Sequence, residues 1–509
     1  MLNIFGSFEA AKRAMQANLN SIITTSHNIS NANTPGYSKQ QVIMDEASPN
    51  RIPQGWIGNG VEVKEIRRMY DHYTNLRLWN ETGELNEWEI KKSTLGELEN
   101  ILDESTGGGL NDVLGKFWNG WQSLINNPAD SASRVNVREI GNVVSNKFNS
   151  LISSFNDLAK NLDDNLIGKI EKINQLSGEI ALLNKQAGEM SATGSPNDIL
   201  DQIDLKIDEL SGIADVKAER NDNGTVKVTL ANVTLVEGVN NMLIGNRNIQ
   251  NSIYNEAYWV DAGTTVDFQS GEIKGIVEAR DDVIDSYKDK IDSLASELIT
   301  QINTIHRQGM GMDGSIKIKG ANAFTGTFTA GGSFSLNGTN ININAGDSLN
   351  DLAANINSET LNTGVTASIE DDKLVLEPDI TNPQLIKIAA DPDDIMLDLG
   401  VISNFFNGTG ASDIAVDPVI LNDTNKIAAS ATGAPGDNAN ALNIYALKKS
   451  LLMDSGSSTF DDFYAGMIGS LGVESQEANN YTESQNLVVE QIKTHKQSIV
   501  GVSMNEELS

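Results

Sequence analysis

The chain has 509 residues with 37 Lys/Arg against 69 Asp/Glu, a net charge of −32, and no cysteine. Its length leaves room for roughly three or four domains with a sizeable core, and its acidity argues against general binding to nucleic acid or an anionic membrane, both of which need a basic face. Lack of cysteine excludes disulfides and thiolate chemistry, and suits a chain that crosses compartments without trapping bridges.

The start, MLNIFGSFEAAKRAMQ, has no basic block, apolar core and cleavage site of a secretory signal, and no run approaches the ~18 apolar residues of a membrane span. Instead, Phe8, Met15, Ile22 and Ile29 recur every seven residues, with Ile4 and Ala11 half a turn offset. This predicts an N-terminal helix whose narrow apolar stripe has no core of its own. Asn28, Asn31 and Asn33 compete for backbone hydrogen bonds and weaken the helix. Thr34-Pro35-Gly36-Tyr37 then offers Pro at i+1 and Gly at i+2 of a type II turn.

Gln41 to Met44 and Val61 to Ile66 read as short strands around the Pro/Gly-rich loop of residues 48–55. A helix is expected from about Tyr70 to Leu102, closed by Gly107-Gly108-Gly109, which reads as a flexible joint because no Gly-Lys-Ser/Thr follows. From Val137 to Met190 apolar residues recur at a mean spacing of about 3.5, predicting one or two very long helices with a left-handed seam. Ser195-Pro196-Asn197-Asp198 restarts a helix.

Between Asp215 and about Phe268 the period falls to two, as in Val226, Val228 and Leu230, with Asn223-Gly224 as a hairpin turn. Helical spacing returns from Ile276 to Ile305. Residues 309–440 are rich in Gly, Asn, Thr and Asp and read as a β-rich domain inserted between helices. Ala441 to Met453 and Phe460 to the end are expected to be helical. There Ala478, Tyr481, Gln485, Val488, Ile492, His495, Ile499 and Val502 alternate steps of three and four, a second seam and a candidate partner for the N-terminal stripe. The charge is split as well. Residues 1–80 hold eight basic and six acidic residues, leaving −34 on the other 429. That suits a terminus buried in an assembly and an acidic, solvated remainder.

Reaction chemistry is poorly represented. His27, His72, His306 and His495 are scattered without partners at ligand spacing. A nucleophile elbow at Ser470 would need glycine where Ile468 stands. Asp281-Asp282 and Asp391-Pro392-Asp393-Asp394 lack the spacing of a calcium loop and read as solvated turns. Trp118 and Trp121, three residues apart, read as a staple between inner helices.

Asn28-Ile29-Ser30-Asn31-Ala32-Asn33-Thr34-Pro35-Gly36-Tyr37-Ser38 resembles the N-terminal signature of the bacterial flagellar rod, hook and hook-associated proteins. Three further stretches occur in the order that the hook-associated members show. They are Phe117-Trp118-Asn119-Gly120-Trp121-Gln122-Ser123-Leu124 through Asp130, Asp437-Asn438-Ala439-Asn440-Ala441 through Leu447, and the run from Ser498 to Glu507. Gly346 to Asn357, with Gly364 to Ile369 and Lys373 to Leu376, is similar to an α+β module of flagellins and hook-associated proteins. In it Ser348 is expected to cap a helix whose Leu349, Leu352 and Ile356 pack onto the following strands.

The expected architecture is α+β and multidomain: a long helical, coiled-coil-like rod formed with the N- and C-terminal helices, plus a mixed β-rich outer domain inserted between helices. Residues 1–40 would be an assembly helix and turn, disordered until docked; 41–312 a helical body with a β-hairpin section at about 215–268; 313–435 the inserted domain, with the module at about 333–402. Residues 436–470 would return to the body and 471–509 form the C-terminal helix. The resemblance implies a structural, non-enzymatic subunit without metal or cofactor, forming a junction ring between hook and filament. Its partners would be further copies of itself, the hook protein, a second junction protein and an export chaperone at the C-terminal region, with no nucleic acid and no membrane. It would be extracellular and exported without a cleaved signal peptide. Family members run on past the Asn-Glu-Glu pattern, so the C-terminal seam is expected to be cut short at Ser509, which bears on chaperone binding. The assembly residues are Ile4, Phe8, Ala11, Met15, Ile22, Ile29, Asn31, Asn33, Pro35, Gly36 and Tyr37 at one end, and Ala478, Tyr481, Val488, Ile492, Ile499 and Val502 at the other. Alternatives are a hook or distal rod protein, or a secreted adhesin using the insertion.

Overall fold

The computed structural model describes residues 2–508 except 53–54, 104–107, 193, 222–223, 251, 313–316 and 435, with backbone alone at 2–5, 52 and 389. Parts of the predicted loop at 48–55, Gly107 of the predicted joint and Asn223 of the predicted turn therefore lie outside the described residues. The described chain is α+β with long terminal helices, Leu2–Asn31 and Phe460–Val500, and several small sheets. Two compact units emerge, one of Met1–Glu97, Leu158–Val283 and Val473–Ser509, the other of Leu98–Asp157 and Ile284–Gly472.

The heptad-spaced run forms one helix, Ser131–Ser191. Its seam is buried in both units: Val144, Phe148 and Phe155 in one, Leu166, Ile173 and Ile180 in the other. In the first unit this helix also carries two asparagines that dock strands. Asn184 donates to the Val226 carbonyl (2.7 Å) and accepts from its N–H (2.8 Å), and Asn174 does the same to Ile244 (2.7 and 2.9 Å). A carboxamide presents the donor–acceptor pair of a peptide unit, so each satisfies a strand residue that a helix backbone could not. Strands Val216–Arg220, Val226–Leu230, Val233–Glu237 and Asn240–Asn241 form an antiparallel sheet in sequence order. Val226, Val228 and Leu230 point inward, as their alternation predicts.

The helical spacing after Ile276 hides an irregularity. Helix Glu272–Glu278 is followed by a π-helical stretch, Ala279–Ile284, before helix Asp285–His306. Within it, buried Arg280 donates to Asp163, to Asp281 and to the Asn255 carbonyl (2.9 Å). Other boundaries moved for local reasons. Asp71 accepts from the N–H groups of Tyr73 (3.0 Å) and Thr74 (3.4 Å), so the second helix starts at His72 and runs to Ile101. The expected helix from Ala441 to Met453 ends early. It spans Ala439–Ala446 with one 3₁₀ turn to Lys449, where Ser450 turns extended (φ −79°, ψ 138°).

In the second unit the tryptophan pair is a core element. Trp118 and Trp121 of helix Leu110–Asn126 are fully buried, Trp118 stacked on Phe460 and Trp121 tilted against Phe405. The module around 318–401 has its own core of strands and two helices, Leu349–Ser358 and the short Ile395–Asp398. Ser348 caps the first of these in a capping box with Asp351, and Leu349, Leu352 and Ile356 are buried, as expected.

His306, one of the four scattered histidines, is buried. Its Nδ1 lies 2.9 Å from the Ser403 carbonyl, and its Nε2 accepts from the Ala428 N–H at 3.0 Å, so the neutral ring is fully satisfied. Burial, aided by Arg134 and Arg307 and opposed by the Ser403 bond, lowers its pKa from 6.5 to about 4. The fold therefore excludes a proton that the unfolded chain binds between those values. Stability is fully present above pH 6.5 and falls by about 3 kcal/mol as pH drops from 6.5 to 4. An NMR titration of the His306 ring checks this; a midpoint near 6.5 would contradict it.

Candidate assembly interface

The N-terminal helix lies on an antiparallel ribbon of Gln40–Glu46 and Val61–Arg68. It does so with its small side chains. Ala17, Thr24 and Asn28 are buried, and Ala10 approaches Gly60 so closely that a Cβ there would stand 3.1 Å from the Ala10 backbone. The large apolar residues face away. Phe8, Met15 and Ile22 are 66%, 74% and 67% exposed, and Leu19 and Ile23 are exposed beside them. An ordinary amphipathic helix buries its apolar stripe; this one buries the opposite face and leaves the stripe in water.

The joint after the helix is fixed by Asn28. Its Nδ2 donates to the Gln40 carbonyl (2.9 Å) while its Oδ1 accepts from the Gln40 N–H (2.9 Å) and from the Tyr37 hydroxyl (2.8 Å). The turn closes as the sequence suggests, with Gly36 at φ 78° and Tyr37 N–H donating to the Thr34 carbonyl (3.2 Å). Asn28→Ala leaves both backbone groups of buried Gln40 without partners. The expected loss is about 2–3 kcal/mol, read as a lowered urea midpoint.

Behind the joint sits a buried ionic network. Arg68, at the end of the ribbon, pairs with Asp201 and Asp204 of helix Asn197–Ile213; Arg220 bonds Asp204 at 2.8 Å. Tyr70 lies beneath both guanidinium groups, 5.0 and 4.1 Å from its ring centre. Asp201 also accepts the Ser38 N–H (3.0 Å), which ties the turn to the network. Burial pushes the Asp201 carboxyl up, outweighing Arg68 and the Ser38 bond.

The C-terminal segment meets the same joint. Lys39 N–H donates to the Val500 carbonyl (2.8 Å), Lys39 Nζ lies 3.0 Å from both Glu506 and Glu507, and Asn28 Nδ2 reaches Glu507 at 3.1 Å. Burial opposes the Glu507 charge, but bonds from Asn28 and Lys39 prevail and hold its carboxyl below the ordinary value. The long helix stops at Val500, with Gly501 donating to Gln497 (2.8 Å) and a separate turn at Met504–Glu507, where a continuous helix was expected.

The structure does not pair the two seams with each other. Val489 and Ile492 pack with Leu78 and Leu85 of helix His72–Ile101, joined by Val488; Tyr481 stacks on Trp88 at 4.5 Å, and Gln485 bonds Glu81. Ala478 is buried, and Ile499 and Val502 are half-buried. At the other end Ala11, Asn33, Pro35 and Gly36 are exposed, while Ile29, Asn31 and Tyr37 are half-buried. The side chain of Ile4 lies outside the described residues. Leu19 and Ile23 were missed because only every seventh position was followed; a 3.6-residue period includes them. Arg68, Asp201 and Asp204 carried no local signal.

Comparison with known proteins places these parts in context. The family model described as "Flagellar hook-associated protein FlgK helical domain" matches residues 95–324, "Flagellin hook IN motif" matches 327–377, and "Flagella basal body rod protein" matches 8–37. Flagellar hook-associated protein 1 of Bacillus subtilis (strain 168) is 26% identical, covering 100% of this chain and 93% of its own. Its namesake in Escherichia coli (strain K12) is also 26% identical, covering 100% and 94%. The solved structure of the flagellar hook junction protein FlgK from Burkholderia pseudomallei shares the fold, with a TM-score of 0.59 and 16% identity over 84% of this chain and 100% of that one.

Proposed function

Since the chain belongs to the family of flagellar hook-associated proteins, a structural family and not an enzymatic one, we propose that it polymerises through its terminal segments into a ring joining the hook to the filament. The hook protein would lie on one side of that ring and a second junction protein on the other. The observation that carries this reading is the outward apolar stripe of the N-terminal helix, on a chain whose relatives are named for association with the hook.

Five large side chains that are half or more exposed represent burial worth on the order of 5–10 kcal/mol, before the entropy of association is subtracted. A stripe of this kind on an isolated subunit is a liability, and in an ordered polymer it is the adhesive. We assign the remaining acidity and the β-rich insertion of residues 313–435 to the outer, solvated side. The C-terminal region is the proposed site of an export chaperone. Among the described residues no helix is long and apolar enough to cross a membrane.

A hook or rod subunit would share the N-terminal match at 8–37; the match to the hook-associated helical domain at 95–324 favours the junction reading. Electron microscopy of a strain lacking the gene tests it. Hooks without filaments are expected, and normal filaments would refute the reading.

A further inference from the structure

We propose that Met15 is a modification site, where oxidation of one sulfur atom switches off assembly through the N-terminal stripe. The proposal rests on the reading above, in which that stripe is buried in the polymer. Met15 is 74% exposed, more than any other methionine among the described residues; Met44, Met190, Met312 and Met504 follow at 40–48%, and the rest are half-buried or buried. Its place in the helix explains this. A long helical side chain leans back over the residues three and four before it. For Met15 these are Lys12 and Ala11, both exposed, and the single methyl of Ala11 leaves the thioether open to solvent. The chain has no cysteine, so no thiolate of its own competes for an oxidant.

The co-reactant is hydrogen peroxide. A sulfur lone pair attacks one peroxide oxygen, a sulfur–oxygen bond forms and the O–O bond breaks; the departing hydroxide takes the proton from the transferred oxygen and leaves as water. The thioether is thereby oxidised by two electrons to a sulfoxide, and the peroxide is reduced. An apolar side chain has become a polar one. In the free subunit the new oxygen is hydrated, and the helix keeps its seat because Ala17, Thr24 and Asn28 hold it by the opposite face. In the polymer the same oxygen enters an apolar contact beside Leu19 and Ile22, which cannot donate a hydrogen bond to it. That contact is expected to weaken roughly 10-fold or more. Methionine sulfoxide reductases return the thioether, so the switch is reversible.

The test treats the purified full chain with hydrogen peroxide, follows the added oxygen by peptide mass spectrometry, and measures binding to isolated hooks by sedimentation. Met15 is expected to oxidise ahead of Met44, Met190, Met312 and Met504. Once it has, the bound fraction should fall roughly 10-fold or more while the circular dichroism stays unchanged, and methionine sulfoxide reductases should restore it. Met15→Leu should bind equally before and after peroxide. Oxidised native chain that binds as well as untreated chain overturns the proposal and leaves the junction reading intact. So does a Met15→Leu chain that loses binding to peroxide, since the sensitive atom then lies elsewhere. If Met15→Leu folds poorly, Met15→Ile provides the same comparison, with the same outcomes. Untreated native chain that does not bind hooks overturns the junction reading itself, and the proposal with it.

Discussion

Met15→Glu with Ile22→Glu is expected to abolish incorporation into the flagellum while leaving the free subunit folded. Both side chains are about 70% exposed and touch none of the buried face that seats the helix. Exposed substitutions of this kind change stability by about 0.5 kcal/mol or less, and Glu keeps the helix propensity that Asp would lose. In the assembly the same positions would carry two unpaired carboxylates into an apolar contact, at several kcal/mol each. The free chain should therefore melt within a degree or two of the native one, yet be missing from isolated hooks, which would carry no filament. Incorporation at the native level would contradict the assignment of the stripe.

Arg68→Met is expected to cost the largest amount of stability, about 3–5 kcal/mol, because it strands two buried carboxylates. Arg220 still reaches Asp204, but among the described residues Asp201 would keep only its bonds from Ser38. Without the arginine, burial of Asp201 is opposed only by the Ser38 bonds, and its pKa rises further above the ordinary value. For a carboxyl raised in the folded state, the penalty grows as pH rises above the ordinary Asp value and shrinks as pH falls towards it. Urea midpoints at pH 7.5 and pH 5 should thus differ less from the native chain at the lower pH. A loss of under 1 kcal/mol at pH 7.5 would show that the network is dispensable.

How much of this was legible depended on the range of each interaction. The stripe, the 61-residue helix Ser131–Ser191, the ribbon strands and the capped helix at Ser348 are local patterns, and they could be read from periodicity and turn chemistry. The direction in which the N-terminal helix faces could not. It depends on a ribbon whose close approach at Gly60 admits only small side chains such as Ala10. Asn28 read as a helix-weakening residue because its partner, Gln40, lies 12 residues away; Asn174 and Asn184 escaped notice in the same way, with partners 70 and 42 residues distant. The C-terminal seam was visible, but its partner was misjudged. Leu78, Leu85 and Trp88 present a receiving face on a helix whose polar content masks it. His306 looked idle because its two acceptor and donor groups come from positions 97 and 122 residues later.

Hydrogen exchange over residues 8–25, compared between the free subunit and isolated hook–filament structures, tests the central claim most directly. Tertiary packing on one small-residue face gives the helix little protection alone, and burial of the stripe should add it. The account predicts fast exchange in the free subunit and protection greater by roughly 100-fold or more in the assembly, with the Asn28–Gln40 joint protected in both. Equal exchange of residues 8–25 in the two states would contradict it.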